Sequence, residues 1–170
     1  CVWKLPNISR TFRAIEEPVS PTSVLNIGFE VSSMLHVPTY LNKMLFGGIN
    51  GELELWNINT GKRIHKFVSP TSKSRITSLA ASPAVDVVGL GRLDGSIEIV
   101  NLALDEQLIA LSMQENGSVL SLAFRKDYPD GMLVAGSGTG DLVVWDLSRK
   151  QIHSVVANVH PKGVGSLFFL

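Results

Sequence analysis

Residues 47–58 read GGINGELELWNI, and the same pattern returns at residues 91–102 (GRLDGSIEIVNL) and 136–147 (GSGTGDLVVWDL). Each copy has glycine at its first and fifth positions, then alternating apolar residues, then Trp-Asn, Val-Asn or Trp-Asp. The copies begin 44 and then 45 residues apart. A period of this length that ends in a Trp-Asp pair is typical of a WD-repeat propeller blade. The repeat positions are Gly47, Gly51, Trp56, Gly91, Gly95, Gly136, Gly140, Trp145 and Asp146.

Short β-prone runs fill the rest of each period, and glycine, proline or polar turn residues separate them. They amount to four strands per repeat, and no helical period is visible. The sequence therefore predicts an all-β WD-repeat β-propeller with three complete four-stranded blades and parts of two more. We place the blades at residues 31–68, 76–113 and 119–158, the end of a preceding blade at 1–17 and the start of the next at 164–170.

The predicted blades make about half of a ring. A single blade cannot bury both of its apolar faces, and neighbours around the ring supply the missing cover. The chain begins without Met and ends on Leu167-Phe168-Phe169-Leu170 in the middle of a strand pattern. We therefore expect a fragment of a longer propeller, which would expose apolar surface if it were isolated.

The polar network of a well-formed WD blade is largely missing from these repeats. That network joins a His, an Asp, a Ser or Thr and the Trp, but Val100 replaces the middle Trp, and only Asp94 supplies the acid before the second glycine. His160 alone stands where the His belongs. We expect the indoles of Trp56 and Trp145 to be buried on third strands and to find other acceptors. We also expect the first glycines of the three repeats to lie in equivalent turns.

Nothing in the sequence resembles a catalytic, cofactor or metal site. The glycine-rich run at 136–140 lacks the Lys-Ser/Thr of a phosphate-binding loop, so a tight turn is the simpler interpretation. The histidines are scattered without metal-ligand spacing, and no nucleophile elbow is present. We therefore predict a protein that is not an enzyme, takes no cofactor and has no small-molecule substrate.

The amino-acid composition narrows the function classes that remain. Fifteen Lys and Arg balance fifteen Asp and Glu, so the totals do not favour nucleic-acid binding. The single Cys1 excludes a disulfide framework and favours a reducing compartment. No apolar run is long enough for a spanning helix, so we expect no membrane partner.

One group of basic residues leaves two interpretations open. Lys62, Arg63, Lys66, Lys73 and Arg75 lie within fourteen positions, on an outer strand and the loop that follows it. They could form a positive surface for a partner or for RNA. They could equally be the charges that keep a solvated edge strand from pairing with another chain.

Two stretches of the sequence resemble a known protein family beyond the general repeat pattern. Residues 36–45 (HVPTYLNKML) lead into 51–57 (GELELWN), and residues 82–91 read SPAVDVVGLG. Both resemble the first propeller of the WD-repeat proteins associated with U3 small nucleolar RNA, the twenty-first of the Utp series. The similarity runs from about Ser33 to Leu170. No blade geometry requires a loop such as Pro38–Lys43, so this loop is more specific than a Trp-Asp pair.

The resemblance implies a role that the period alone does not. Members of that family are tandem propellers in the Utp-B subcomplex of the small-subunit processome. They act in pre-ribosomal RNA processing in the nucleus, within the nucleolus. The resemblance therefore implies a scaffold that contacts other Utp-B subunits and processome proteins, and that could contact pre-rRNA or U3 RNA. The alternatives are a WD-repeat adaptor of a ubiquitin-ligase or trafficking complex and, less in keeping with the residues, a propeller hydrolase.

Overall fold

The alternating runs of the repeat form twelve strands in a computed structural model, which describes residues 20–68, 72–113, 115, 117–126 and 131–169. The predicted strands within residues 1–17 lie outside the described residues. The strands are β1 (Val31–His36), β2 (Lys43–Gly48), β3 (Leu53–Asn57), β4 (Lys62–Lys66), β5 (Ile76–Ala81), β6 (Val87–Arg92), β7 (Ser96–Asn101), β8 (Glu106–Ser112), β9 (Val119–Arg125), β10 (Met132–Ser137), β11 (Leu142–Asp146) and β12 (Gln151–Val156).

These strands form three four-stranded antiparallel sheets, each ordered as the chain runs: β1-β2-β3-β4, β5-β6-β7-β8 and β9-β10-β11-β12. The fold class is thus all-β, as the spacing predicts, and each sheet is a meander joined by short turns. Trp56 lies on β3 and Trp145 on β11, each the third strand of its sheet, and both are buried.

The turns explain two of the repeat positions. The second glycines, Gly51, Gly95 and Gly140, have φ of 81°, 82° and 99°, a region that other residues rarely adopt. The residue after each Trp or Val position caps the turn to the fourth strand. Asn57 and Asn101 Oδ1 accept from the backbone N two residues on, of Asn59 (2.9 Å) and Ala103 (2.9 Å), which is the geometry of an Asx turn. Asp146 Oδ1 accepts from the backbone N three residues on, of Arg149 (3.0 Å).

The core lies between the sheets rather than within any one of them. Leu45 and Leu53 of the first sheet pack in one buried cluster with Val88 and Leu90 of the second. A second cluster joins the other face of the second sheet to the third, and its buried members include Ile97, Met113, Leu133 and Val143. Each such side chain contributes about 1.5–3 kcal/mol when fully buried, so each sheet depends on its neighbour for stability.

The first glycines of the repeats serve this stacking, and the expectation that they lie in turns is wrong. Gly47, Gly91 and Gly136 lie within the second strands β2, β6 and β10. A Cβ on Gly47 would lie 2.8 Å from Ile76 Cγ2, and one on Gly91 would overlap the Val119 side chain. Glycine is required because the first residue of the next sheet, Ile76 or Val119, is β-branched and packs directly against the backbone at this position.

A hydroxyl group on the first strand of each sheet adds a hydrogen bond at each junction, the contact between one sheet and the segment that follows it. Ser32 Oγ donates to the carbonyl of Ile76 (2.7 Å), and Thr77 Oγ1 donates to that of Val119 (2.5 Å). Ser121 Oγ donates to the carbonyl of Val164 (2.6 Å). Residues 164–169 carry no strand, but this bond and the bond from Val164 N to Ser137 O (2.9 Å) attach them to the third sheet.

Replacing Thr77 with valine should destabilise the protein by about 1–2 kcal/mol, because valine has nearly the same shape but cannot donate to the Val119 carbonyl. The midpoint of urea unfolding measures the loss. The control is Thr60→Val in an exposed turn, which should leave the midpoint unchanged. Equal midpoints for the two variants would show that the junction bond adds nothing.

Candidate partner-binding surfaces

The polar group that replaces the usual blade network differs from sheet to sheet. In the first sheet, the indole Nε1 of Trp56 donates to Glu54 Oε2 at 2.9 Å. Arg63 Nη1 lies 3.0 Å from the other oxygen of the same buried carboxylate. Trp56 has therefore found another acceptor, as expected, and this acceptor lies two residues before it on the same strand.

In the second sheet, the equivalent glutamate has a different partner. Val100 stands at the Trp position and has no N–H to donate, so Glu98 Oε2 pairs with Arg92 Nη2 at 3.1 Å. Arg92 Nη1 also donates to the carbonyl of Ser74 at 2.8 Å. Arg92 is fully buried, so this ion pair ties β6, β7 and the loop before β5 together away from water.

In the third sheet, the glutamate itself is missing. Val143 occupies its position, and the buried Nε1 of Trp145 has no hydrogen-bond partner among the described residues. The expectation that both indoles find acceptors is therefore wrong for Trp145. The residue two positions before each Trp was the signal in the sequence that separates these two cases.

The five basic residues do not form one compact surface. All of β4 is exposed, with Lys62 opposite Asn57 at one end and Lys66 opposite Glu54 at the other. At about 3.3 Å per residue, these two lysines are roughly 13 Å apart along the strand. Lys73 and Arg75 lie in the following loop, at the end where Lys66 lies, and Arg63 is already paired with Glu54.

The edge strand β4 also reaches the second sheet. His65 Nε2 lies 3.0 Å from Asp105 Oδ2, and the backbone N of Val68 donates to the same carboxylate at 3.1 Å. Asp105 sits in the turn between β7 and β8 with a positive φ of 52°. The outer edges of the first two sheets are thus joined by a polar contact that the sequence did not indicate.

The two stretches that carry the family resemblance meet in space. Thr39 Oγ1 in the loop between β1 and β2 donates to Asp86 Oδ1 in the loop between β5 and β6, at 3.1 Å. The ammonium of Lys43 lies 4.7 Å from the centre of the Tyr40 ring. Residues 38–42 and 82–86 therefore form one continuous surface, which we call the joint loop surface.

Tyr40 reports on this contact through its ionisation. Partial burial, then a hydrogen bond to Asp86 and the negative charge of that residue, raise the pKa of the Tyr40 phenol above its ordinary value of 10.0. The folded state thus favours the neutral phenol. This stabilisation is fully present below the pKa of an unfolded tyrosine and is lost as the pH rises through the higher folded pKa.

We expect Tyr40 to ionise at a higher pH than an unperturbed tyrosine, which a phenolate absorbance titration measures. The difference between the titrations of the wild-type protein and Tyr40→Phe isolates its signal. In Asp86→Asn the midpoint of that signal should fall, because both the charge and the carboxylate acceptor are removed. A midpoint that is the same with and without the Asp86 carboxylate would contradict the proposed contact.

The described residues also line two concave regions. A cavity of about 1000 Å³ lies between residues 25–29 and the outer face of the first sheet, where Met34, Met44 and Phe46 line it. A smaller, polar one of about 270 Å³ is lined by the first strand of each sheet (β1, β5 and β9) and by residues 165–167. Its serines, Ser33, Ser78, Ser121 and Ser166, recur 43–45 residues apart. That recurrence is visible in the sequence and was missed there.

Among the described residues that line these two regions there is no His, Cys, Asp or Glu. Among the residues that the structure describes, no three His, Cys, Asp or Glu side chains are grouped so that they could hold a metal ion. The same residues contain no helix long and apolar enough to cross a membrane. The described surface consists of exposed loops, strand edges and apolar faces that a partner could contact.

Comparison with known proteins finds a family and several relatives. The family description "WDR36/Utp21 first beta-propeller" matches residues 1–170. The human WD repeat-containing protein 36 is 38% identical over 143 residues, which is 84% of this chain and 15% of the relative. The U3 small nucleolar RNA-associated protein 21 homolog of Schizosaccharomyces pombe is 37% identical over 149 residues, 88% of this chain and 16% of the relative. The chain thus spans about one sixth of these relatives.

Solved structures agree on the fold. A structure of U3-55K superposes with a TM-score of 0.71 at 16% identity, over 84% of this chain and 43% of that one. The RRP9 WD40 repeats give the same TM-score, identity and coverage. At this level of identity the similarity concerns the propeller fold alone.

Proposed function

This chain belongs to the family of the first β-propeller of WDR36 and Utp21, and we propose that it is a non-catalytic scaffold in ribosome biogenesis. In this proposal the three sheets, with their connections at 31–68, 76–113 and 119–158, are successive blades of a ring. Residues 164–170 begin the next blade, and residues 1–17 end the preceding one. The protein would act in the nucleolus, within the small-subunit processome.

The observation that carries the proposal is the family match over the whole chain, together with the identities of 37–38%. Two of the relatives are named as associated with U3 small nucleolar RNA. The described surface supports a binding role, because its loops and strand edges are exposed and so accessible to a partner. The proposed partners are other Utp-B subunits and processome proteins.

Direct contact with pre-rRNA or U3 RNA is a narrower part of the proposal. The exposed cations of β4, Lys62 and Lys66, and the loop residues Lys73 and Arg75 would supply the phosphate contacts. Their division between the two ends of β4 favours a few separate contacts over one deep basic groove. Ultraviolet crosslinking of the full-length protein to RNA in cells, followed by sequencing, tests this part.

Affinity purification of the tagged full-length protein from its own cells tests the role itself. We expect U3 RNA and pre-ribosomal proteins to be enriched over an unrelated small nuclear RNA, and the tagged protein to be imaged in the nucleolus. Depletion should cause unprocessed pre-rRNA to accumulate. Recovery of a cullin or a vesicle-coat assembly without U3 RNA would favour an adaptor of another complex and refute the proposal.

A further inference from the structure

The joint loop surface, residues 38–42 and 82–86, combines rigidity with exposed apolar side chains. Leu41 is 81% exposed and Val85 is 69% exposed, among the larger exposures of any large hydrophobic residue described. Pro38, Pro83 and Ala84 beside them are also exposed. The fold does not need these side chains, since the turn contacts of the two loops are made by their neighbours.

Those neighbours hold the loops in place through Asp86. Its carboxylate accepts from Thr39 across the junction, and its carbonyl accepts from Leu102 N at 2.7 Å. Asp86 and Asn42 both adopt a positive φ, 59° and 58°, which Asp and Asn tolerate better than other residues. The apolar side chains are thus presented on a backbone that is ordered before any partner arrives, and this lowers the entropy cost of binding.

The charges around the surface favour one kind of partner. Asp86 is engaged by Thr39 and Tyr40, and Asp105 is engaged by Val68 N and His65. On the side of the first sheet, the register Lys43–Asn57–Lys62 places the exposed Lys62 at the end of the sheet where residues 38–42 lie. On the side of the second sheet, the register Val87–Asn101–Glu106 places the exposed Glu106 at the end where residues 82–86 lie. An apolar surface with a lysine on one side and a glutamate on the other complements an apolar segment that carries a carboxylate at one end and a cation at the other.

From these observations we propose that the joint loop surface docks a partner protein through a short amphipathic segment. Its aliphatic side chains contact Leu41 and Val85, its Asp or Glu meets Lys62, and its Lys or Arg meets Glu106. The inference rests on the proposed scaffold role but not on which assembly the scaffold serves. Single-stranded RNA fits this surface less well, because RNA-binding platforms stack bases on exposed aromatic rings, and the exposed groups here are aliphatic.

A photo-crosslinking amino acid at position 41 of the full-length protein, expressed in its own cells, tests the proposal. The matched control is position 93, where Leu93 is 53% exposed in the turn between β6 and β7 at the opposite end of the sheet. We expect position 41 to capture a protein segment, identified by mass spectrometry, with aliphatic residues and at least one Asp or Glu. Val85→Asp should lower the yield at least tenfold, and Lys162→Glu, at an exposed lysine outside this surface, should leave it unchanged.

The captured segment, made as a synthetic peptide, is then titrated against the full-length protein. Leu41→Asp and Lys62→Glu should each weaken binding at least tenfold, while Leu93→Asp stays within twofold of wild type. A yield at position 41 no higher than at 93, capture of RNA, or capture that survives Val85→Asp would each overturn the proposal. Because U3 co-purification is scored separately, loss of the docking surface and loss of the ribosomal role give different results.

Discussion

Replacing Arg92 with methionine should destabilise the protein by about 3–5 kcal/mol, the cost of removing one partner of a buried ion pair. Arg92 is fully buried and Glu98 is 5% exposed, so the carboxylate left behind would be cut off from water. The carbonyl of Ser74 would lose its donor at the same time. The midpoint of urea unfolding, followed by tryptophan fluorescence, measures the loss.

A second variant separates the pair from simple packing. In Arg92→Met combined with Glu98→Leu no buried charge remains at this site, and much of the lost stability should return, because apolar replacements of buried ion pairs are often neutral. The control is Arg149→Met, which breaks the exposed pair with Asp146 (3.7 Å) and should give no resolvable change. An Arg92→Met protein as stable as Arg149→Met would show that the buried pair does not tie the loop to the sheet.

Replacing Gly140 with alanine should cost more than about 2 kcal/mol, the second large effect that we expect. Its φ of 99° is strained for any residue with a Cβ, and the added Cβ would overlap the carbonyl of His160. That carbonyl belongs to backbone, so it cannot move aside as a flexible side chain would. The segment that links β12 to Val164 would be displaced, and with it the hydrogen bond from Ser121 to Val164.

Gly165→Ala is the matched control, because no atom lies within 4 Å of a Cβ built there and its φ is not positive. We expect Gly140→Ala to lower the urea midpoint and to speed hydrogen exchange over residues 157–164. Gly165→Ala should do neither. If both variants behave alike, the turn at Gly140 tolerates a side chain and its geometry is not what the repeat position requires.

The amino-acid sequence alone indicates the repeat period, because the residues that define it are constrained by their close neighbours in the chain. The second glycines need a positive φ, and the Asn or Asp after each Trp position caps its own turn, so both constraints lie within a few residues of one another. Strand number, strand order within a sheet and the third-strand position of Trp56 and Trp145 follow from them. The resemblance to a family also needed only two short stretches.

The role of the first glycines cannot be predicted in this way. The sequence shows their spacing but predicts turns, because nothing near Gly91 in the sequence indicates that Val119 will pack against it. Contacts between residues about 28 positions apart are not constrained by local propensity. The missing acceptor of Trp145 has a different reason, because it follows from Val143 only once the structure shows that Glu54 accepts from Trp56.

The amino-acid sequence by itself determined that this protein is built from repeated four-stranded sheets and that it resembles the family of the first propeller of WDR36 and Utp21. Only the tertiary structure decided which side chains meet across the junctions. It pairs Arg92 with Glu98 where a Trp is missing, and it brings the loops at 38–42 and 82–86 into one surface. The physical reason is that turn geometry is fixed by a residue and its close neighbours, whereas burial and charge pairing depend on which sheet stacks against which.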